Sequence, residues 1–191
     1  MRRVALALAY TAAALLIAWL TPKPFELHGP FTTSTSGTAA HSENLVAELS
    51  GPPLTTPVLL SPAGLPFPID DDELVVAFPL QVTTRHEPLE YLGLRLRVDE
   101  ALYYPDLRID GTYFTLGARA QPRIWTHLAA AFVVPRDWIG DGTRLVLQVQ
   151  DDGPEHNSFV ERVEFRMDGA DLRSVPEFTL PAIEVGGVFQ P

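Results

Sequence analysis

The densest chemistry in this chain lies in two acidic runs, Asp70-Asp71-Asp72-Glu73 and Asp151-Asp152. Carboxylate oxygens are the hard ligands that Ca²⁺ prefers, so Asp70, Asp71, Asp72, Asp151 and Asp152 are candidate calcium ligands. Neither run has the alternate-position spacing of a calcium loop, and the competing reading is solvated acid at strand ends. Paired carboxylates held about 5 to 9 Å apart could also hydrolyse a glycoside, but no second catalytic signature accompanies them. The chain contains no G-x-S-x-G elbow, no H-E-x-x-H helix, no dinucleotide-binding glycine turn and no phosphate-binding loop. His28, His41, His86, His127 and His156 are scattered, no two of them within ten residues. With no cysteine, disulfides, thiolate chemistry and Cys-based metal centres are excluded. The expectation is a non-enzyme without a cofactor, calcium being the one ion whose donors are present.

Aromatic residues are the stronger argument for binding. Tyr103, Tyr104, Trp125 and Trp138 fall in or near turns and are candidate ligand or interface residues. Exposed rings stack on the apolar face of a sugar and serve protein interfaces equally well, while packing in the core is the competing reading. Neighbouring side chains of an extended segment point to opposite faces, so one of Tyr103 and Tyr104 should face solvent.

The elements that must position these residues are strands. Leu74, Val76, Phe78, Leu80 and Val82 recur every second residue, as do Leu92, Leu94, Leu96 and Val98 against Gly93, Arg95 and Arg97. The pattern returns in Leu128, Ala130, Phe132 and Val134, in Leu145, Leu147 and Val149, and in Val163, Phe165 and Met167. One apolar and one polar face is what an antiparallel sheet packed on one side requires. Turn-forming sequences separate the runs, and 18 prolines with 13 glycines suit many short elements. No stretch after residue 21 sustains an amphipathic helix, so the fold expected is mainly β, an antiparallel β-sandwich over residues 45–191.

Ahead of it, Val4–Leu20 is uncharged and follows Arg2 and Arg3. Its 17 residues reach roughly 25 Å as a helix, the short end of a bilayer span. After Ile17 come Ala18, Trp19, Leu20, Thr21 and Pro22, without small residues one and three positions before a cut, which favours a retained anchor over a cleaved signal. Residues 1–21 are therefore expected to be a transmembrane helix held in the lipid bilayer by Val4, Leu8, Leu15, Leu16, Ile17, Trp19 and Leu20. The basic N-terminus would stay cytoplasmic and the remainder would lie on the periplasmic side of a bacterial inner membrane. Residues 22–44, rich in Pro, Thr, Ser and Gly, read as an extended tether. Without Arg2 and Arg3 the chain carries 12 basic and 24 acidic side chains, a formal charge of −12 that disfavours nucleic acid.

One family resemblance lies between Leu92 and Met167. The runs LGLRLRVDEALYYPDLRIDGTYF, HLAAAFVVPRDWIGDGTRLVLQVQDDG and VERVEFRM resemble the jelly-roll sandwiches of the galactose-binding-like superfamily, which include many carbohydrate-binding modules. Asp110-Gly111, Val134-Pro135 and Gly142-Thr143-Arg144 stand where those domains place their turns, although the asparagines usual there are absent. The resemblance implies a jelly-roll-like sandwich that binds sugar or calcium, or that holds proteins together. Together with the anchor it leaves two expectations. The first is an accessory subunit docked on an integral membrane complex of the respiratory or photosynthetic kind. The second is a surface-anchored or secreted carbohydrate-binding module.

Overall fold

A computed structural model describes residues 32–109, 119–152 and 161–190. The anchor expected over 1–21, the first part of the tether and the Asp110-Gly111 turn lie outside the described residues. Fourteen strands occur among those described. In chain order they are β1 (Thr32–Thr35), β2 (Ala39–His41), β3 (Leu45–Leu49), β4 (Leu54–Thr56), β5 (Leu59–Leu60), β6 (Glu73–Thr84) and β7 (Leu92–Val98). Then come β8 (Ala101–Tyr103), β9 (Ile124–Pro135), β10 (Arg144–Asp151), β11 (Arg162–Asp168), β12 (Arg173–Ser174), β13 (Phe178–Thr179) and β14 (Glu184–Val188). Among the described residues helix is limited to single 3₁₀ turns at Leu107–Ile109, Arg136–Trp138 and Gly169–Asp171, none of them long and apolar enough to cross a membrane.

Sheet I has the order β1-β11-β10-β7-β8, antiparallel except that β1 runs parallel to β11. Sheet II is built on β6, which pairs with β9 from Glu73↔Pro135 to Val82↔Thr126. On its other side β6 pairs first with β4 and then with β3, so these two behave as one strand broken at Gly51-Pro52-Pro53. Two prolines cannot donate to a ladder, which enforces the break. Strands β2 and β12 flank that broken strand, and β14 pairs with β9 at the opposite edge.

Alternation dictates how the sheets stack. Val76, Phe78, Leu80 and Val82 of β6 and Leu128, Ala130, Phe132 and Val134 of β9 face Leu94 and Leu96 of β7, Leu145 and Leu147 of β10 and Val163 and Phe165 of β11 in one buried core. Phe78 and Phe132 meet edge to face, ring centroids 6.1 Å apart, and each is paired in register with a smaller residue, Ala130 or Val76. Large side chains thereby interdigitate with small ones, as dense packing requires.

A second core lies on the outer face of sheet II. Val75, Ala77, Ala129, Ala131 and Val133 are buried there beneath Leu59, Ile109 and Leu180, with Phe67, Ile69 and Phe178 packed at the margin. The cover comes from the proline-rich segment after β4 and from the chain after β12, joined by the short parallel pair β5–β13.

The connections differ from the jelly roll expected by resemblance. Hairpins β7–β8 and β10–β11 stay within sheet I, while the chain crosses between sheets from β6 to β7, from β8 to β9 and from β9 to β10. With β6 beside β9 and β7 beside β10, this is the Greek key of immunoglobulin-type sandwiches. Turn chemistry and alternation are common to both, and neither specifies which strands cross.

The tether expected over 22–44 also differs where it is described, because Thr32–Thr35 and Ala39–His41 are strands of the sandwich. Long-range hydrogen bonds hold this segment rather than an apolar pattern. Ser34 Oγ donates to Glu164 at 3.0 Å, and the Glu161 carboxylate accepts from Ser42 Oγ and from the backbone N–H groups of Asn44 and Leu45.

Candidate functional site

The two acidic runs end at opposite ends of the sandwich. Glu73 pairs with Pro135, whose strand leads through Arg136–Trp138 to the start of β10, whereas Asp151 and Asp152 close the far end of β10. Among the described residues no group of three or more His, Asp or Glu side chains is arranged to hold a metal ion. Arg108 instead gathers acid from the first run. Its guanidinium bridges Glu73 at 2.9 and 3.0 Å and Asp106 at 2.8 Å, with Asp70 at 3.9 Å. Hydrogen bonds from Arg108 hold the Glu73 and Asp106 carboxyls below the usual carboxylate range, against a burial that acts the other way. This cluster pins the 3₁₀ turn of residues 107–109 to the start of β6 and so seats Ile109 in the second core.

The candidate aromatics are distributed over three places. Tyr103 turns inward against the main core, its ring 6.1 Å from that of Trp138, and burial followed by the charge of Asp137 pushes its hydroxyl pKa up. Trp138, 46% exposed, lines an open depression of ≈ 600 Å³ at one end of the sandwich with Asp99, Glu100 and Asp137. Trp125 packs edge-on to Phe189 at 5.4 Å, clamping the chain that follows β14. Tyr104 is 58% exposed and stands beside sheet I, with the Arg95 guanidinium 5.4 Å from its ring centroid.

That arginine belongs to a polar face that functional scanning of the sequence passes over. Register places Ser34, Glu164, Gln148 and Arg95 in one row across sheet I, and Arg166, Val146 and Arg97 in the next. Glu164 is fully buried at the centre, accepting from Ser34 Oγ at 3.0 Å, Gln148 Nε2 at 3.0 Å and Arg166 at 3.3 Å. Gly93 leaves the space in which Asp152 folds over the sheet, since a Cβ there would come within 2.3 Å of its carboxylate. Asp152 in turn accepts from Arg95 at 3.0 Å and from Gln150. Arg162 donates to Gln150 at 3.0 Å, and its pKa is lowered by burial first and then by the like charges of Arg95 and Arg97, with Glu164 opposing. The signal available in the sequence was that the polar partners in LGLRLRV, RLVLQVQ and RVEFRM are forked donors and acceptors rather than Thr, Ser or Lys.

A contrasting surface is the edge of sheet II at β14, whose one strand neighbour among the described residues is β9 and whose Val185 and Val188 are 61% and 73% exposed. Val188 is paired with Ile124, itself exposed, so the two make one apolar strip, while Gly187 takes a left-handed φ of 84° where the register shifts. Edges β1, β2, β8 and β12 are shorter.

No family model matches the chain, and no curated protein matches it in sequence. Among solved structures it is similar to an uncharacterized β-sandwich protein from Clostridium difficile 630, at 10% identity and a TM-score of 0.46, over 72% of this chain and 95% of that one. By its own strand order the chain is an antiparallel β-sandwich protein.

Proposed function

We propose that this chain is a non-catalytic accessory subunit, anchored in the inner membrane by the helix expected over residues 1–21, whose periplasmic β-sandwich docks on a larger membrane protein complex. The observation that carries this reading is the apolar free edge at β14. Exposed strand edges offer a row of backbone donors and acceptors to another chain, and monomeric proteins usually blunt them with charge or proline. Here Val185 and Val188 are exposed beside the single charge of Glu184, and the strand is the longest of the described sheet edges. The partner is a polypeptide of the host complex that adds a strand or an apolar ridge at Val185 and Val188. Native gel electrophoresis of membranes in mild detergent tests this. Wild-type chain should migrate with a large assembly, and V185E/V188E should run free with an unchanged melting temperature. Free migration of the wild type would refute the reading.

A second reading, a surface-anchored carbohydrate-binding module, is favoured by Tyr104, an exposed ring on an otherwise polar face. It does not rest on the likeness to galactose-binding-like domains, whose jelly-roll order the sheets do not follow.

A further inference from the structure

We infer that the outer face of sheet I is a binding site for an acidic saccharide, a sugar chain bearing uronate carboxylates, with Arg97 and Arg166 as the anion-binding arms and Tyr104 as the ring platform. The inference rests on the second reading above and names its ligand class.

Charge on this face is the starting point. Arg95, Arg97, Arg162 and Arg166 share it with two carboxylates, Glu164 and Asp152. Both carboxylates are committed, Asp152 to Arg95 and Gln150, and Glu164 to Ser34, Gln148 and Arg166. Arg97 makes no hydrogen bond or ion pair among the described residues, and Arg95 Nε is buried without a partner. Among the described residues this face of a chain with formal charge −10 therefore carries four arginines against two carboxylates.

Spacing suits a small planar acid. Arg97 and Arg166 both pair with Val146, one from each side, so at about 4.8 Å between strands their Cα atoms lie about 10 Å apart. Val146 lies buried between Arg97 and Arg166 in the register, and two forked guanidinium side chains flanking one residue can take a carboxylate from either side. One row further on, Arg95 carries the Tyr104 ring, leaving the opposite ring face open for a pyranose.

The test is calorimetric titration of the full-length chain with an oligogalacturonate, a neutral oligogalactoside of equal length and a poly-glutamate peptide. The uronate should bind, the neutral sugar should bind at least about tenfold more weakly, and R97Q or R166Q should each weaken the uronate by about tenfold or more, the usual consequence of losing a charged hydrogen bond. R97K, which keeps the charge and loses the fork, should fall between. Melting temperatures of R97Q and R97K should match the wild type, and that of R166Q should fall slightly because Arg166 donates to the buried Glu164. Failure of the uronate to bind, or undiminished binding in both glutamine variants, overturns the inference. Equal or tighter binding of poly-glutamate overturns the saccharide assignment in favour of an acidic protein segment. V188E should bind the uronate normally, so loss of docking at β14 and loss of this site are separately visible.

Discussion

The two sheets of this sandwich treat their outer faces in opposite ways. Sheet II presents Val75, Ala77, Ala129, Ala131 and Val133 outward and buries them beneath Leu59, Ile109 and Leu180. Sheet I presents Arg95, Arg97, Gln148, Gln150, Arg162, Glu164 and Arg166, and no apolar layer of the described residues lies over them. Alanine on the outer face lets an irregular arm approach closely, and burial of apolar area stabilises that contact. Forked polar side chains do the reverse: they satisfy one another laterally, so the face is ordered without a cover and stays open to solutes. One sheet is packed with apolar residues on both sides, and the other has apolar packing inward and a lateral polar network outward.

The largest expected effect is on the covered side. Leu180→Ala removes a fully buried side chain that clips the C-terminal arm to sheet II, and should cost about 2–5 kcal/mol in urea unfolding. A loss near zero would mean that the arm is a passive cover and that the two faces are energetically alike. Next, Glu164→Ala deletes the buried hub of sheet I and strips Gln148 and Ser34 of their acceptor, for an expected loss of about 1–3 kcal/mol. If Glu164→Ala costs as much as Leu180→Ala, the polar face is a structural layer comparable to the apolar one.

The Arg108 cluster, which joins the cover to β6, sharpens the comparison through pH. Glu73 and Asp106 have depressed folded pKa values, so they contribute stability above the ordinary carboxylate range, which is lost as pH falls through the depressed values. Arg108 is partly exposed, so R108M should cost about 0.2–1 kcal/mol per pair at pH 7. Melting curves of wild type and R108M should converge as pH falls below about 4. Parallel curves would show that the cluster contributes nothing. Smallest of all, Arg97→Gln should leave stability within about 0.5 kcal/mol of wild type, because the side chain has no hydrogen-bond partner to lose among the described residues.

Much of the sandwich was legible in the sequence because period-two alternation is a local property. Every inward residue of β7, β10 and β11 can be read from LGLRLRV, RLVLQVQ and RVEFRM. What could not be read was set by distant partners. Thr32–Thr35 is a strand because Arg162 to Phe165 offers it a free edge, and its own residues carry no apolar pattern. The crossing order, which excludes a jelly roll, depends on which hairpins stay in one sheet, and turn residues are silent on that. The site was legible only in part. Tyr104 could be picked out beside Tyr103, but the row that joins Arg97, Val146 and Arg166 exists only once β7, β10 and β11 are in register. Likewise, of the acids read as calcium ligands, Asp152 is the partner of Arg95, 57 residues away, and Asp70 lies 3.9 Å from Arg108.

Docking at β14 is tested most directly by a photo-crosslinking residue placed at position 188 of the full-length chain in its native membranes, with a second placed at Ser36, exposed in the β1–β2 turn. One discrete adduct with a membrane-complex polypeptide from position 188, and none from position 36, is the predicted result. No adduct from position 188, or the same adduct from both, would contradict it.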